Sequence, residues 1–262
     1  MEYGDKHILV LGAGASGIGA SWVLAQVGAH VVLNDYKPVT LPADEEKRLV
    51  SAGVDIITGR QDESLLDGVD RIVISPGISL DIPIVKAAQA RGIDVVSEVE
   101  VAYELSKSPI VAVTGTNGKT TTTTLLTKVL EGTGKPVRVG GNIGDSLSEV
   151  AYSMPADGFL VAELSSYQLE TIKHFRPIGA IMLNITPDHL ARHKTMENYI
   201  AAKERIFENQ LSTDFMVLNI DDPIVADMKH RAPSHILEIS QHQVVSNGAY
   251  YDKGQCYVTK NG

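Results

Sequence analysis

The sequence predicts an α/β protein of two domains, each built on a mostly parallel sheet. Three observations lead there. Short apolar runs of strand length alternate with helix-forming runs from His7 to beyond Leu218, the rhythm that right-handed βαβ crossovers impose. Two glycine-containing loops, Gly12 to Gly17 and Thr114 to Thr120, each follow an apolar run and open a helical one. Finally, Pro109 follows Ser106-Lys107-Ser108 and disfavours continuing the helix before it. The boundary is set there, giving domains 1–107 and 108–262.

In the first domain, His7 to Leu11 is a strand, followed by Gly12-Ala13-Gly14-Ala15-Ser16-Gly17 and a helix from Ile18 to Val27. The next strand, Val31 to Asn34, finishes at Asp35. This is the βαβ dinucleotide fingerprint of a Rossmann-like unit, with its acid at about the expected distance. Alone it allows NAD, another phosphate or ribose ligand, or merely close helix–strand packing. Ala43 to Ala52 (helix), Val54 to Thr58 (strand), Arg71 to Ser75 (strand), Ile82 to Ala90 (helix), Ile93 to Val96 (strand) and Ser97 to Leu105 (helix) continue the alternation. Ligands of such sheets sit at the carboxyl ends of the strands, where the glycine loop, Asp35 and Ser75-Pro76-Gly77 all fall.

The second domain opens on Val111-Ala112-Val113-Thr114-Gly115-Thr116-Asn117-Gly118-Lys119-Thr120-Thr121. A strand, a glycine loop ending in Gly-Lys-Thr and a helix N-terminus make a polyphosphate cradle: amides face anionic oxygens, Lys119 neutralises charge and the Thr120 hydroxyl holds Mg²⁺. The usual spacing would need glycine at position 113, where this chain has Val113, so the match is to a shorter loop; a plain tight turn is the alternative. After the helix Thr121 to Glu131, a strand near Val137 to Val139 runs into Gly140-Gly141-Asn142-Ile143-Gly144, a second phosphate-facing turn or a merely flexible one. Phe159 to Glu163 is a strand ending in an acid placed to complete a Mg²⁺ shell. Ala180 to Ile185 empties into Thr186-Pro187-Asp188-His189, which puts His189 on the cradle's edge as a ligand or a surface residue. Thr195 to Gln210 reads as a helix whose stripe of Met196, Tyr199, Ile200, Ile206 and Phe207 carries Lys203 in its middle. Such a lysine either snorkels to water or is buried, with a lowered pKa and a neutral, reactive amine. Phe215 to Leu218 is a strand, a short helix starts at Asp222-Pro223, and Ala249 to Val258 is a hairpin,.

Composition narrows the function. The apolar fraction is 44% with 5% aromatics, as in soluble α/β proteins. A net charge of −9 argues against a nucleic-acid partner. The single cysteine, Cys256, excludes an intrachain disulfide and suits a reducing cytosol. No apolar run reaches bilayer length and the N-terminus is not that of a signal peptide, so the expectation is a soluble cytoplasmic protein without a membrane partner; a monomer is a separate working expectation, not drawn from these observations.

These motifs, with Glu163-Leu164-Ser165-Ser166-Tyr167-Gln168-Leu169-Glu170, Asn184 to His193 and Tyr199-Ile200-Ala201-Ala202-Lys203, occur in an order that closely resembles the Mur ligases of bacterial peptidoglycan synthesis. The resemblance implies a Mur-type central domain after the Rossmann-like one. It also implies ATP-dependent ligation of D-glutamate to UDP-N-acetylmuramoyl-L-alanine through an acyl phosphate. Gly115, Thr116, Asn117, Gly118, Lys119, Thr120 and Thr121 would hold ATP, with Lys119 also stabilising the transferring phosphoryl group. Thr120 and Glu163 would bind one Mg²⁺, and His189 with Lys203 as a carbamate would bind a second. Ala15, Ser16, Asp35, Tyr36, Lys37 and Gly77 would hold the UDP moiety, so the glycine loop would serve UDP rather than NAD. Asn142 would contact substrate near the reacting carboxylate. Ala191 stands where the family often has an acid. Family members continue past residue 262 with further ATP contacts and a third domain for D-glutamate. The central domain is therefore read as incomplete at its C-terminal end. The expectation for the chain alone is nucleotide binding with little or no complete ligation; a non-catalytic UDP-sugar-binding module and an NAD-dependent dehydrogenase, the latter resting on Gly12 to Gly17 with Asp35, are the competing readings.

Overall fold

In the computed structural model, which describes residues 3–260, the chain forms two sheets. Met1, Glu2, Asn261 and Gly262, and the expectations placed on the extreme termini, lie outside the described residues. The first sheet carries β1 (His7–Leu11), α1 (Ala15–Gln26), β2 (His30–Asp35), α2 (Ala43–Ser51), β3 (Asp55–Thr58), β4 (Arg71–Ile74), α3 (Pro83–Ala90) and β5 (Asp94–Ser97). Its order is β3-β2-β1-β4-β5, parallel throughout. The chain winds outward from β1 in one direction and then from β4 in the other. The crevice between β1 and β4 is therefore the switch point where ligands lodge, and Gly12 to Gly17 and Ser75-Pro76-Gly77 are its lips. Both faces are covered, by Val10, Leu24, Leu33 and Leu49 on one side and Leu9, Leu11, Ile72 and Val85 on the other.

Helix α4 (Glu98–Leu105) leads to the second sheet. There β6 (Ile110–Thr114), α5 (Lys119–Glu131), β7 (Val137–Gly141), α6 (Leu147–Ser153), β8 (Phe159–Glu163), α7 (Ser166–Leu169) and β9 (Gly179–Met182) come first. They are followed by α8 (Leu190–His193), α9 (Met196–Glu204), β10 (Phe215–Asn219), α10 (Pro223–Asp227), β11 (His235–Ser240), β12 (Gly248–Asp252) and β13 (Gln255–Thr259). The order is β13-β12-β11-β10-β9-β6-β8-β7, with only the terminal hairpin antiparallel. The cradle strand β6 lies between β8 and β9, so Glu163 and the loop after Met182 flank the phosphate loop. No helix among the described residues is long and apolar enough to cross a membrane.

Two expected elements are shorter than the sequence suggested. The strand expected to run to Ile185 ends at Met182; beyond it, Ile185 donates its N–H to Asp222 rather than to a neighbouring strand. The helix expected to reach Gln210 ends at Glu204 and tightens into a 3₁₀ turn at 205–207. There the Arg205 guanidinium reaches the carbonyls of Glu170 and Ile172.

Helix α4 belongs to both units. Val101 packs into the core of the first sheet and Val99 and Ala102 into that of the second. Its acids are spent on joining them. Glu98 accepts the Ser148 N–H at 2.5 Å. Glu100, fully buried, accepts the N–H groups of Lys173, His174 and Phe175 at 2.7, 2.7 and 3.1 Å. Glu104 pairs with Arg71 at 2.9 Å. Helices α1 and α6 add a second seam: a Cβ on Gly19 would stand 2.0 Å from Ser146 Oγ, so only glycine fits,. Beside it, Arg48 pairs with Glu149 at 2.5 Å and lies over the Trp22 ring.

Candidate active site

The buried strand β6 delivers Thr114 into a loop that only glycine can make. Gly115 has φ +150° and an added Cβ would meet Leu183 Cβ at 2.9 Å; Gly118, at φ +84°, caps α5. The loop is clamped from the β9 side. Thr116 N–H donates to Asn184 O (2.8 Å), and the Asn184 side chain accepts the Asn117 N–H and donates to Asn117 O. Helix α5 then starts at Lys119, and its first-turn amides have no partners within the helix, leaving them free for anionic oxygens. Thr120 and Thr121 lie exposed on that turn.

Two lysines converge on one carbonyl. Lys119 Nζ donates to Gly115 O and Thr116 O at 3.1 and 2.8 Å, while Lys203 Nζ donates to Gly115 O at 2.7 Å from the core side. Lys203 is only 2% exposed, so it does not snorkel. Burial, followed by the charge of Lys119, lowers its pKa from 10.5 to about 7, against an opposing pull from Asp188,. Around pH 7 much of the protein therefore carries a neutral amine here.

Glu163 ends β8 beside Val113 of β6. One of its oxygens accepts the Asn142 side-chain N–H at 2.8 Å, and the other, Oε2, is buried with no partner. An unpaired buried carboxylate oxygen is costly and fits a cation. Asn142 also donates its backbone N–H to Glu163 O. That close approach requires Gly141, at φ +109°, where a Cβ would meet the same oxygen at 2.4 Å. The described residues contain no cluster of three or more His, Cys, Asp or Glu side chains able to hold a metal. A cation here must therefore draw on Glu163, a threonine hydroxyl, water and phosphate oxygens, as Mg²⁺ does at nucleotides.

His189 is exposed, holds a left-handed backbone (φ +54°), and leans on Tyr167 with ring centroids 4.9 Å apart. It makes no hydrogen bond to Lys203. Beneath it lies a group of side chains to which the motif reading gave no role. His193 is 6% exposed, with Nε2 at 2.9 Å from Ser166 Oγ and Nδ1 at 3.4 Å from Glu170; burial lowers its pKa. Tyr199 OH reaches Thr116 Oγ1 at 3.0 Å. The signal for His193 was its place four residues after His189, one helical turn away on α8.

At the first sheet, Asp35 accepts the Ala13 and Lys37 N–H groups, each at 3.0 Å, and so braces the glycine loop. Ala15, Tyr36, Lys37 and Gly77 are exposed along that rim and Ser16 is half-buried. Gly17 is obligatory, since a Cβ there would stand 1.9 Å from Gly12 O. A cavity of about 730 Å³ adjoins the cradle, walled by Asn117, Gly118 and Asn184 on one side and Asn219, Gln241 and Tyr250 on the other. That volume lies within the range of small-molecule sites.

Residues 113–262 match the Mur ligase middle domain, and residues 6–97 match the Mur ligase MurD-like N-terminal domain. The UDP-N-acetylmuramoylalanine–D-glutamate ligase of Thermoanaerobacter sp. (strain X514) is 45% identical over 100% of the chain. The enzyme of the same name from Halalkalibacterium halodurans is 44% identical over 98% of it. The chain spans 58% and 57% of the length of these two relatives. Among solved structures, a UDP-N-acetylmuramate:L-alanyl-gamma-D-glutamyl-meso-diaminopimelate ligase from Neisseria meningitides shares the fold, with a TM-score of 0.63 at 20% identity. The alignment covers 94% of this chain and 83% of that one. With its middle-domain match extending over more than half its length, the chain belongs to the Mur ligase family.

Proposed function

We propose that this chain carries the UDP-substrate and ATP sites of an enzyme that ligates D-glutamate to UDP-N-acetylmuramoyl-L-alanine. The observation that carries the reading is the convergence of Lys119 and the buried Lys203 on Gly115 O, beside a Glu163 whose second oxygen is unpartnered. The names of the relatives at 44–45% identity supply the substrate. Residues 1–107 hold the UDP moiety through Ala15, Ser16, Asp35, Tyr36, Lys37 and Gly77, and residues 108–262 hold ATP.

Free amides of α5 and the loop grip the phosphates, and Lys119 swings from the loop carbonyls onto the γ-phosphoryl as charge develops there. Asn142, fixed by Glu163, orients the substrate carboxylate that attacks the γ-phosphorus, forming the acyl phosphate as the bond to ADP breaks,. Thr120 and the unpartnered oxygen of Glu163 would hold one Mg²⁺, which would neutralise phosphate charge,. The neutral amine of Lys203 would add to CO₂ and release a proton, and the resulting carbamate, with His189, would hold a second Mg²⁺. D-glutamate's neutral amine then attacks the acyl carbon and displaces phosphate, losing a proton as the amide forms.

Calorimetry on the purified chain checks this reading. Binding of UDP-N-acetylmuramoyl-L-alanine and of Mg·ATP is expected; tight NADH binding without competition from UDP would overturn it. A ¹³C carbamate resonance from ¹³C-bicarbonate, absent in Lys203→Ala, is the matching test of the lysine.

A further inference from the structure

Arg192 is the only side chain of α8 that crosses to the first sheet among the described hydrogen bonds. Its Nη1 donates to Pro76 O at 3.2 Å. The rest of the guanidinium is already committed: Nε and Nη2 grip Glu170 at 3.1 and 2.5 Å, and the plane lies over Tyr167 with its carbon 4.6 Å from the ring centre. The side chain is 19% exposed, so these contacts are sheltered from water, and a planar fork with donors on separate edges can make all of them at once.

The acceptor matters more than the contact. Pro76 sits in the turn after β4, on the crevice of the first sheet. The other end of the turn is pinned: Ser75 Oγ donates to Gly12 O at 3.1 Å, and Ile78 N–H closes back on Ser75 O. The Pro76–Gly77 peptide is planar and trans, as no cis bond occurs among the described residues. In such a unit the C=O and the following N–H point in opposite directions. Fixing Pro76 O toward Arg192 thus fixes the Gly77 N–H away from it. That N–H has no partner among the described residues.

We infer that Arg192 is a positioning residue that aims the Gly77 amide at an anionic oxygen of the UDP substrate. The inference rests on the function proposed above for the ligand, but not for the geometry. Arg192 also belongs to a continuous chain of contacts reaching the cradle. Glu170 and Tyr167 touch His193, His193 packs on Tyr199, and Tyr199 OH meets Thr116. One guanidinium therefore registers the donor of one sheet against the phosphate loop of the other.

The test uses the chain with Arg192→Met and Arg192→Lys. Lysine keeps a charge for Glu170, and hence the fold, but its single nitrogen cannot serve both Glu170 oxygens and Pro76 O from separate edges. Both variants are expected to lose about tenfold in affinity for UDP-N-acetylmuramoyl-L-alanine, the worth of one aimed hydrogen bond, with ATP affinity unchanged. Hydrogen exchange at Ile78, whose N–H closes the turn on Ser75 O, should quicken while the β1 and β4 amides stay protected. Unchanged exchange at Ile78 in both variants would overturn the positioning role, whatever the ligand. A tenfold loss shared equally by ATP would overturn it as well, by showing a general loosening. If the parent chain fails to bind the UDP substrate, the functional reading falls, and the exchange result still decides whether Arg192 sets the turn.

Discussion

Replacing Glu98 by Gln should stabilise the protein in mildly alkaline solution and do almost nothing in acid. Glu98 is 2% exposed between α4 and α6. One oxygen accepts the Ser148 N–H, and the other is buried without a partner. Burial is the leading cause that raises its pKa from 4.5 to about 7, with Ser148 and Ser146 pulling the other way. A carboxyl whose folded pKa lies above its unfolded value holds more protons when folded. Its favourable contribution is complete below pH 4.5 and is lost as pH climbs through about 7. At about 1.4 kcal/mol per tenfold change in proton affinity, the loss amounts to about 3 kcal/mol. Glutamine keeps the acceptor for Ser148 and cannot ionise, so Glu98→Gln should match the parent near pH 4 and exceed it by about 2–3 kcal/mol at pH 8,. Urea unfolding of both proteins at pH 4, 5, 6, 7 and 8 reads this directly, because the difference between them removes every other titrating group. Parallel stability–pH curves would refute the reasoning, as would a gain confined to low pH.

Other substitutions probe the remaining joints. Gly141→Ala should cost about 2–4 kcal/mol, since a side chain at φ +109° collides with Glu163 O,; a urea midpoint within error of the parent's would contradict this. Glu100→Gln turns a buried acceptor of three N–H groups into a half-donor and should cost about 2–4 kcal/mol in the same assay,. Glu163→Gln leaves Asn142 its acceptor but removes the unpartnered anionic oxygen. ATP affinity should then lose its dependence on Mg²⁺ by about tenfold in a magnesium titration, whereas an unaltered titration would take Glu163 out of the metal site.

Much of the site was legible because its chemistry conflicts with its address. Lys203 stood on an apolar stripe, and the structure buries it. Gly115 and Gly118 interrupted a strand-to-helix passage, and both have positive φ. What stayed hidden was mostly relational. Helix α6 was passed over although Ser146 lies three residues before Glu149 and caps its N–H; seven residues give too little periodicity to stand out. Strand β11 was missed because it is half-buried on both faces, so no clean alternation marks it. The Gly19–Ser146 contact, the Arg48–Glu149 pair and the reach of Arg192 to Pro76 join residues 101 to 127 positions apart, and no local pattern encodes such distances. His193 was in plain view one turn beyond His189, but its burial, not its spacing, is what singles it out.

Helix α4 has a consequence for how the chain is made. As residues leave the ribosome in order, the first sheet and α4 emerge with Glu98 and Glu100 still lacking their partners. Those partners follow about 50 and 75 residues later, at Ser148 and at Lys173 to Phe175. During that interval two acids and the apolar side of Val99 and Ala102 face water. The nascent N-terminal half therefore has a built-in waiting time, and its last helix is finished only when α6 and the segment before β9 arrive to cover it.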